Sequence, residues 1–377
     1  MLVTEARRSW PHRLAMTSVF IANGLAFGAW VGNLPRLREE AGLDNASLGT
    51  VLLCGSIGSL LAMQIVGRLA GRIGTARTSW ISAVALAVAL PLPALLPTWP
   101  LLLGSGLLLG AVLGSLDIAM NAHAAQIERC WGAAIMSSLH AGWSLGELTG
   151  AAAAGLLADA GASLFLALAV PGIASALCGM AALLLPDAPS CSSERTAFAW
   201  PSRAMLGLCA IVALSFAIEG GAADWSGIYL RTELGASAAR SSMGLAAFAA
   251  AMVACRLCGD FLVRWLGPAR VIRCGSVVTG LGLLGATISP NVTTAAASFA
   301  LVGAGVANIV PVLFSVAGRN GPAGVAMLAT AGYGAVMGAP PLIGMISHAV
   351  GLRAALLLLM AGTGLITLLA RRSRASV

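Results

Sequence analysis

The chain has 377 residues, of which 58% are hydrophobic and 10% charged, and its mean hydropathy is +0.90. Soluble domains are about half apolar and about a quarter charged, so this balance excludes a water-soluble globular protein. The formal charge of +8 comes from 22 basic and 14 acidic residues, and every basic residue is arginine; no arginine run interleaves with aromatics as a nucleic-acid groove does, so no nucleic-acid partner is expected.

A helix that crosses a bilayer takes about 20 apolar residues. Apolar runs fall near 14–34, 46–66, 78–97, 101–122, 134–158, 163–185, 204–230, 241–263, 270–289, 292–317, 322–347 and 351–370, which predicts twelve spans. The first follows Arg7, Arg8 and Arg13. It is longer than a cleaved leader and lacks a small-x-small cleavage site, so it is expected to stay as a span. It also carries Gly24, Gly28 and Gly32 at every fourth position, a spacing that lets a second backbone come close. The long polar interruption at 186–203 reads as a linker between two six-helix halves, 1–185 and 204–377. With the N-terminus inside, Arg36, Arg38, Arg231, Arg240 and Arg353 are external and Arg256 is within a span, while the other sixteen arginines are cytoplasmic. Positive short loops stay inside, so both termini are expected in the cytoplasm.

The halves look duplicated. A shift of 195 aligns Trp30 with Trp225, Arg36 with Arg231, Ser47 with Ser242 and Gly49 with Gly244. A shift of 193 lays Gly74-Thr75-Ala76-Arg77 on Gly267-Pro268-Ala269-Arg270, and a shift of 190 lays Gly142-Trp143 on Gly332-Tyr333. Six spans per copy give both copies the same orientation, a parallel repeat about the membrane normal.

Two literal motif matches carry no chemistry. Gly280-x-Gly282-x-x-Gly285 lies in an apolar run with no preceding strand, so it reads as helix packing. Cys255-x-x-Cys258 lacks a second pair, and the eight cysteines mostly sit in apolar runs as small hydrophobes. With no P-loop either, no cofactor, metal or enzymatic activity is expected, and a gradient rather than ATP is the expected energy source.

A carboxylate at the bilayer centre costs about 3 kcal/mol on insertion scales, so one that is present is a functional candidate. Asp117, Glu147, Glu219 and Asp224 qualify. Asp117 and His140 lie at similar depth, about 9 Å from the cytoplasmic ends of spans four and five, and a carboxylate beside an imidazole can exchange a proton near neutral pH. His140, Ser144 and Glu147 share one stripe of span five, so Glu147 rivals Asp117 as proton carrier. Arg256 and Asp260 stand at i, i+4, where opposite charges pair. Pro311 and Pro340-Pro341 are candidate bends or cavity points.

Two six-span halves, the mid-chain linker and arginine-rich loops after spans two and eight resemble the major facilitator superfamily along essentially the whole chain. The loop Gly67-Arg68-Leu69-Ala70-Gly71-Arg72-Ile73-Gly74-Thr75-Ala76-Arg77 is similar to its signature G-x-L-A-D-R-x-G-x-R-R, with Gly71 at the usual aspartate. The resemblance implies a gating role for Gly67, Arg68, Arg72, Gly74 and Arg77, and for Arg256 and Asp260 in the second copy. Asp117-x-x-x-Asn121-x-His123, His140-x-x-Trp143-Ser144-Leu145-Gly146, Glu219-Gly220-x-x-x-Asp224-Trp225-Ser226-x-x-Tyr229-Leu230 and Asn308-x-x-Pro311 resemble the YbjJ-like transporters, distantly similar to fucose permease. In this superfamily spans one, four, seven and ten line the central cavity. That implies substrate-facing positions for Asn23, Trp30, Asp117, Asn121, Glu219, Trp225 and Asn308, to which the repeat adds Tyr333. Asparagines with tryptophan suit a sugar-like or organic solute. The expectation is a monomeric, proton-coupled uptake carrier, because span five lacks the proline string of the superfamily's drug antiporters. Proton-coupled efflux and a transporter-derived sensor or scaffold are the alternatives.

Overall fold

The computed structural model describes residues 9–95, 98–131, 135–186, 203–318 and 321–372. Among them there is no strand. The helices are α1 (Trp10–Glu40), α2 (Asn45–Ile73), α3 (Thr75–Ala89), α4 (Leu92–Leu95), α5 (Trp99–Trp131), α6 (Met136–Asp159), α7 (Leu164–Gly179) with a 3-10 turn at Met180–Leu184, α8 (Arg203–Leu234), α9 (Ala238–Ser241), α10 (Met243–Leu257), α11 (Gly259–Leu266), α12 (Pro268–Ile288), α13 (Val292–Val306), α14 (Ile309–Gly318), α15 (Gly321–Val350) and α16 (Leu352–Arg372). Helices are what an apolar chain must form in lipid, where every backbone N–H and C=O has to find its partner within the segment. Ten helical stretches among the described residues are long and apolar enough to cross a membrane. Helices α6 and α15, of 24 and 30 residues, complete the expected twelve. Except for its end residues, the linker expected over 186–203 lies outside the described residues.

Polar punctuation sets where the helices start. Ser9, Ser163, Ser237 and Asn291 accept from the backbone N–H three residues on and cap α1, α7, α9 and α13. Gly74 and Gly267, matched by the sequence repeat, precede α3 and α12 with φ of 97° and 78°, a left-handed region that side chains rarely adopt. Helix α6 has no capping side chain of its own. Instead Glu128, near the end of α5, accepts from the N–H groups of Ile135 at 2.7 Å and Met136 at 2.8 Å. A carboxylate suits a helix N-terminus, where unpaired N–H groups and the helix dipole are positive. Glu128→Ala is expected to cost about 1 kcal/mol, read as a lower melting temperature of the purified protein; an unchanged value would mean that α6 starts without this cap.

Contacts group the chain into two compact units, Met1–Gly42 with Cys54–Ser192, and Leu43–Leu53 with Ser193–Val377. In the first, α1 packs chiefly along α6 and also α7, and α3 packs on α5 and α7. In the second, α8 packs chiefly along α15 and also α16, and α12 packs on α13 and α16. Each unit therefore sets its first span on its fifth, and its third on its fourth and sixth. The start of α2 belongs to the second unit through α15: a Cβ at Gly49 would lie 3.3 Å from the Cα atoms of Gly344 and Pro341.

The α1–α6 seam is built from glycine on both sides. A side chain at Gly24 would run into the carbonyl of Trp143, and one at Gly28 into that of Glu147. From the other side, Gly146 and Gly150 meet the carbonyls of Ile21 and Leu25.

Two expected spans, 241–263 and 292–317, are broken. The first divides between α10 and α11 at Cys258, the second between α13 and α14 at Ala307-Asn308. Pro311 explains the second break: it has no N–H to give the carbonyl four residues back, Ala307, and its ring crowds that carbonyl. Pro340-Pro341, expected to interrupt span eleven, lies inside an unbroken α15.

Candidate functional site

In the first unit the polar side chains of α1 and α6 meet. Asn23 is 5% exposed. Its Nδ2 donates to the Leu113 carbonyl of α5 at 3.2 Å, and its Oδ1 accepts from Trp143 Nε1 of α6 at 2.9 Å. Trp143 leans on Phe27, with ring centroids 5.4 Å apart, and His140 meets Phe20 edge-on at 5.2 Å. Ser144 and Glu147, on the same stripe as His140, are buried, as is Trp30. On α5, Asn121 Nδ2 donates to the Asp117 carbonyl at 2.9 Å and to its carboxylate at 3.1 Å. Both residues keep partial exposure. Two residues further on, His123 is buried and Nδ1 lies 2.7 Å from the hydroxyl of Thr75. That bond ties α5 to the first residue after Gly74, in the signature-like loop. Arg77 of this loop is exposed, and the side chains of Arg68 and Arg72, with Gly67, lie outside the described residues.

In the second unit the two helix breaks lie side by side and satisfy each other. Arg256 Nε of α10 donates to the Ala307 carbonyl at 3.4 Å, the acceptor that Pro311 leaves without a helical donor. Asn308, 8% exposed, donates in return to the Cys255 carbonyl at 2.8 Å. A Cβ at Gly259 would strike the Asn308 amide oxygen, so the second break can approach only over a glycine. Arg256 Nη2 pairs with Glu219 Oε1 of α8 at 3.1 Å. These side chains are 16% and 18% exposed, so the pair is largely desolvated without being sealed. The i, i+4 spacing set Arg256 beside Asp260, whose side chain lies outside the described residues; the pairing with Glu219, 37 residues away, carries no sequence signal. Trp225 is fully buried, with an indole N–H that finds no acceptor among the described residues, whereas Tyr333 is 46% exposed.

Unpaired backbone carbonyls at membrane depth are tolerated where they are buried in protein or line an aqueous cavity. Here both receive side-chain donors, one of them a guanidinium that also meets a carboxylate. Such a cluster can bind a polar group, because its donors and acceptors are already positioned at the joined breaks.

Residues 16–326 match the family profile of the Major Facilitator Superfamily. An uncharacterized MFS-type transporter of Yersinia pestis is 33% identical over 336 residues, covering 87% of each chain. The membrane protein MosC of Rhizobium meliloti is 31% identical over 357 residues, covering 93% of this chain and 88% of its own. Among solved structures, the nucleoside transporter NupG has a TM-score of 0.71 at 15% identity, covering 97% of this chain and 98% of its own. A bacterial homolog to the human lysosomal transporter Spinster, in an inward-facing and occupied conformation, has a TM-score of 0.75 at 14% identity, covering 98% of each chain. At these identities the structural likeness speaks for the fold alone. The sequence matches over most of the chain and the twelve-helix, two-half layout make this protein a multi-pass membrane transporter of the Major Facilitator Superfamily.

Proposed function

We propose that the protein takes up a small polar solute, sugar-like or organic, across the bacterial inner membrane by alternating access and couples that movement to protons, as a monomer with both termini in the cytoplasm. The observation that carries this reading is the Glu219–Arg256 pair at the joined helix breaks. Charges at this depth are costly, and a helix bundle that only needed to span the membrane would gain by leaving them out. Within the same unit as the pair, Asn308 supplies a further amide beside it.

Asp117 is the preferred proton carrier, since its carboxylate is bound by the neutral amide of Asn121 and keeps partial exposure; Glu147, buried against α1, is the second choice. A thermal-shift screen of the purified protein against sugars, organic acids and amino compounds identifies the solute, because a ligand of the folded state raises its melting temperature. Uptake in proteoliposomes, with and without a pH gradient, then tests coupling. Asp117→Asn is expected to abolish accumulation against a gradient yet spare solute exchange. Full accumulation in this variant moves the role to Glu147, and full accumulation in both Asp117→Asn and Glu147→Gln would end the proposal of proton coupling in this unit.

The orientation has its own test. A reporter fused after residue 195 is expected to show cytoplasmic activity, since sixteen of 22 arginines then lie inside. Activity confined to the periplasm would invert the topology.

A further inference from the structure

Helix α8 carries two carboxylates at membrane depth, and only one of them has a cation. Glu219 meets Arg256 at 3.1 Å. Asp224 is 9% exposed and has no ion pair or hydrogen bond among the described residues. It sits in Gly221–Leu230, where every residue is buried, so protein rather than lipid covers it. A buried carboxylate without a counter-charge is costly for any fold to keep, and more so inside a membrane. The next residue shows the same lack with the opposite sign: Trp225 Nε1 is a buried donor with no acceptor among the described residues.

There is room beside Asp224. Side chains of a helix lean toward its N-terminus, which lays this carboxylate over Gly220, one turn earlier, where a Cβ would meet nothing within 4 Å. The adjoining wall is apolar: a Cβ at Gly221 would come 2.5 Å from Ile343 Cδ1 and 2.9 Å from Leu359 Cδ1. A metal ion asks for several oxygen ligands, and no group of three or more His, Cys, Asp or Glu side chains that could hold one occurs among the described residues. A proton needs no room. An ammonium group on a partly apolar body uses the charge, the space and the wall together.

We propose that the solute is a small organic amine and that Asp224 binds its ammonium group. This rests on the reading of the protein as a carrier of a small polar solute, and it supplies the class of that solute. Asp224 stands about 7.5 Å along α8 from Glu219, so a solute held at Asp224 reaches toward the joined breaks with its other end.

The test is a thermal-shift titration of the purified full-length protein with methylamine, glucosamine, glucose and glucuronate, in potassium chloride at constant ionic strength. A hydrogen bond to a charged partner is worth a factor of about ten or more. Glucosamine is therefore expected to bind wild type at least about tenfold more tightly than glucose, the same ring without the ammonium. Asp224→Asn keeps the shape and loses the charge; it should melt no lower than wild type and bind glucosamine no better than glucose. Gly220→Leu fills the space and keeps the carboxylate. It should weaken both amines several-fold, and it carries the test if Asp224→Asn gives too little folded protein. Equal amine shifts in wild type and Asp224→Asn overturn the proposal. So does a shift by sodium chloride that matches that of methylamine, because the missing cation is then inorganic. If glucose or glucuronate binds wild type and the amines do not, the amine class falls while the solute reading stands. If none of the four compounds shifts wild type or enters proteoliposomes, the solute reading falls with it.

Discussion

Arg256→Gln is expected to stop uptake and to lower the melting temperature more than any other single polar change in the second unit. The substitution removes the one partner that Glu219 has among the described residues, and the Glu219 side chain is 18% exposed. Breaking a desolvated pair by deleting one partner costs about 3–5 kcal/mol, because the remaining charge stays buried without compensation. It also takes the donor from the Ala307 carbonyl, which Pro311 leaves with no helical alternative. Arg256→Gln combined with Glu219→Gln should regain much of the lost stability, since two neutral amides can bond each other, yet it should not regain uptake. The measurement is the melting temperature of the four proteins of the cycle beside uptake in proteoliposomes, and the coupling energy follows from non-additivity. A single variant that melts like wild type would show that the pair is solvated and structural in neither sense.

Gly28→Val is expected to have a comparably large effect on folding in the first unit. A Cβ at this position meets the carbonyl of Glu147, which is backbone and cannot swing away. Overpacking a tight core costs about 1–3 kcal/mol even when side chains can adjust. Here α1 and α6 must move apart, which strains the Asn23–Trp143 bond at 2.9 Å and opens the seam at Gly24, Gly146 and Gly150 together. Folded yield and melting temperature of the purified protein report the loss. Gly104→Ala on α5, where an added methyl finds open space, serves as the control; by helix propensity it should be neutral or stabilising by up to about 1 kcal/mol. If the two variants behave alike, the seam is looser than its geometry.

What the sequence made legible is what repeats along it. Twenty-residue apolar runs are visible because lipid demands them of every span, and the duplicated Gly74 and Gly267 stand out because the same positive φ is needed before α3 and α12. Pairings between distant helices leave no such trace. The spacing that joined Arg256 to Asp260 is a rule within one helix, and it says nothing of Glu219 on another. Trp143 stood in a motif, but its tie to Asn23 needed the α1–α6 packing to appear. The Glu128 cap of α6 is equally silent, since the acid that serves the helix precedes it by eight residues. One signal was present and unused: counting four residues back from Pro311 gives Ala307, the carbonyl where the expected span breaks.

The pairing of first with fifth span sets a clock on assembly. Asn23 and Trp143 are 120 residues apart, and at about 5–20 residues per second a ribosome needs roughly 6–24 seconds to make that stretch. For all of that time α1 has its glycine face bare, with Gly24 and Gly28 cut for a backbone that does not yet exist. Small-residue stripes of this kind pair readily with other helices in a bilayer, so a newborn α1 is most exposed to wrong neighbours, including another nascent copy of itself, before α6 leaves the ribosome. The second unit meets the same delay between α8 and α15. Slowing translation between the two helices of either pair should therefore raise misassembly more than slowing it after the fifth span has been made.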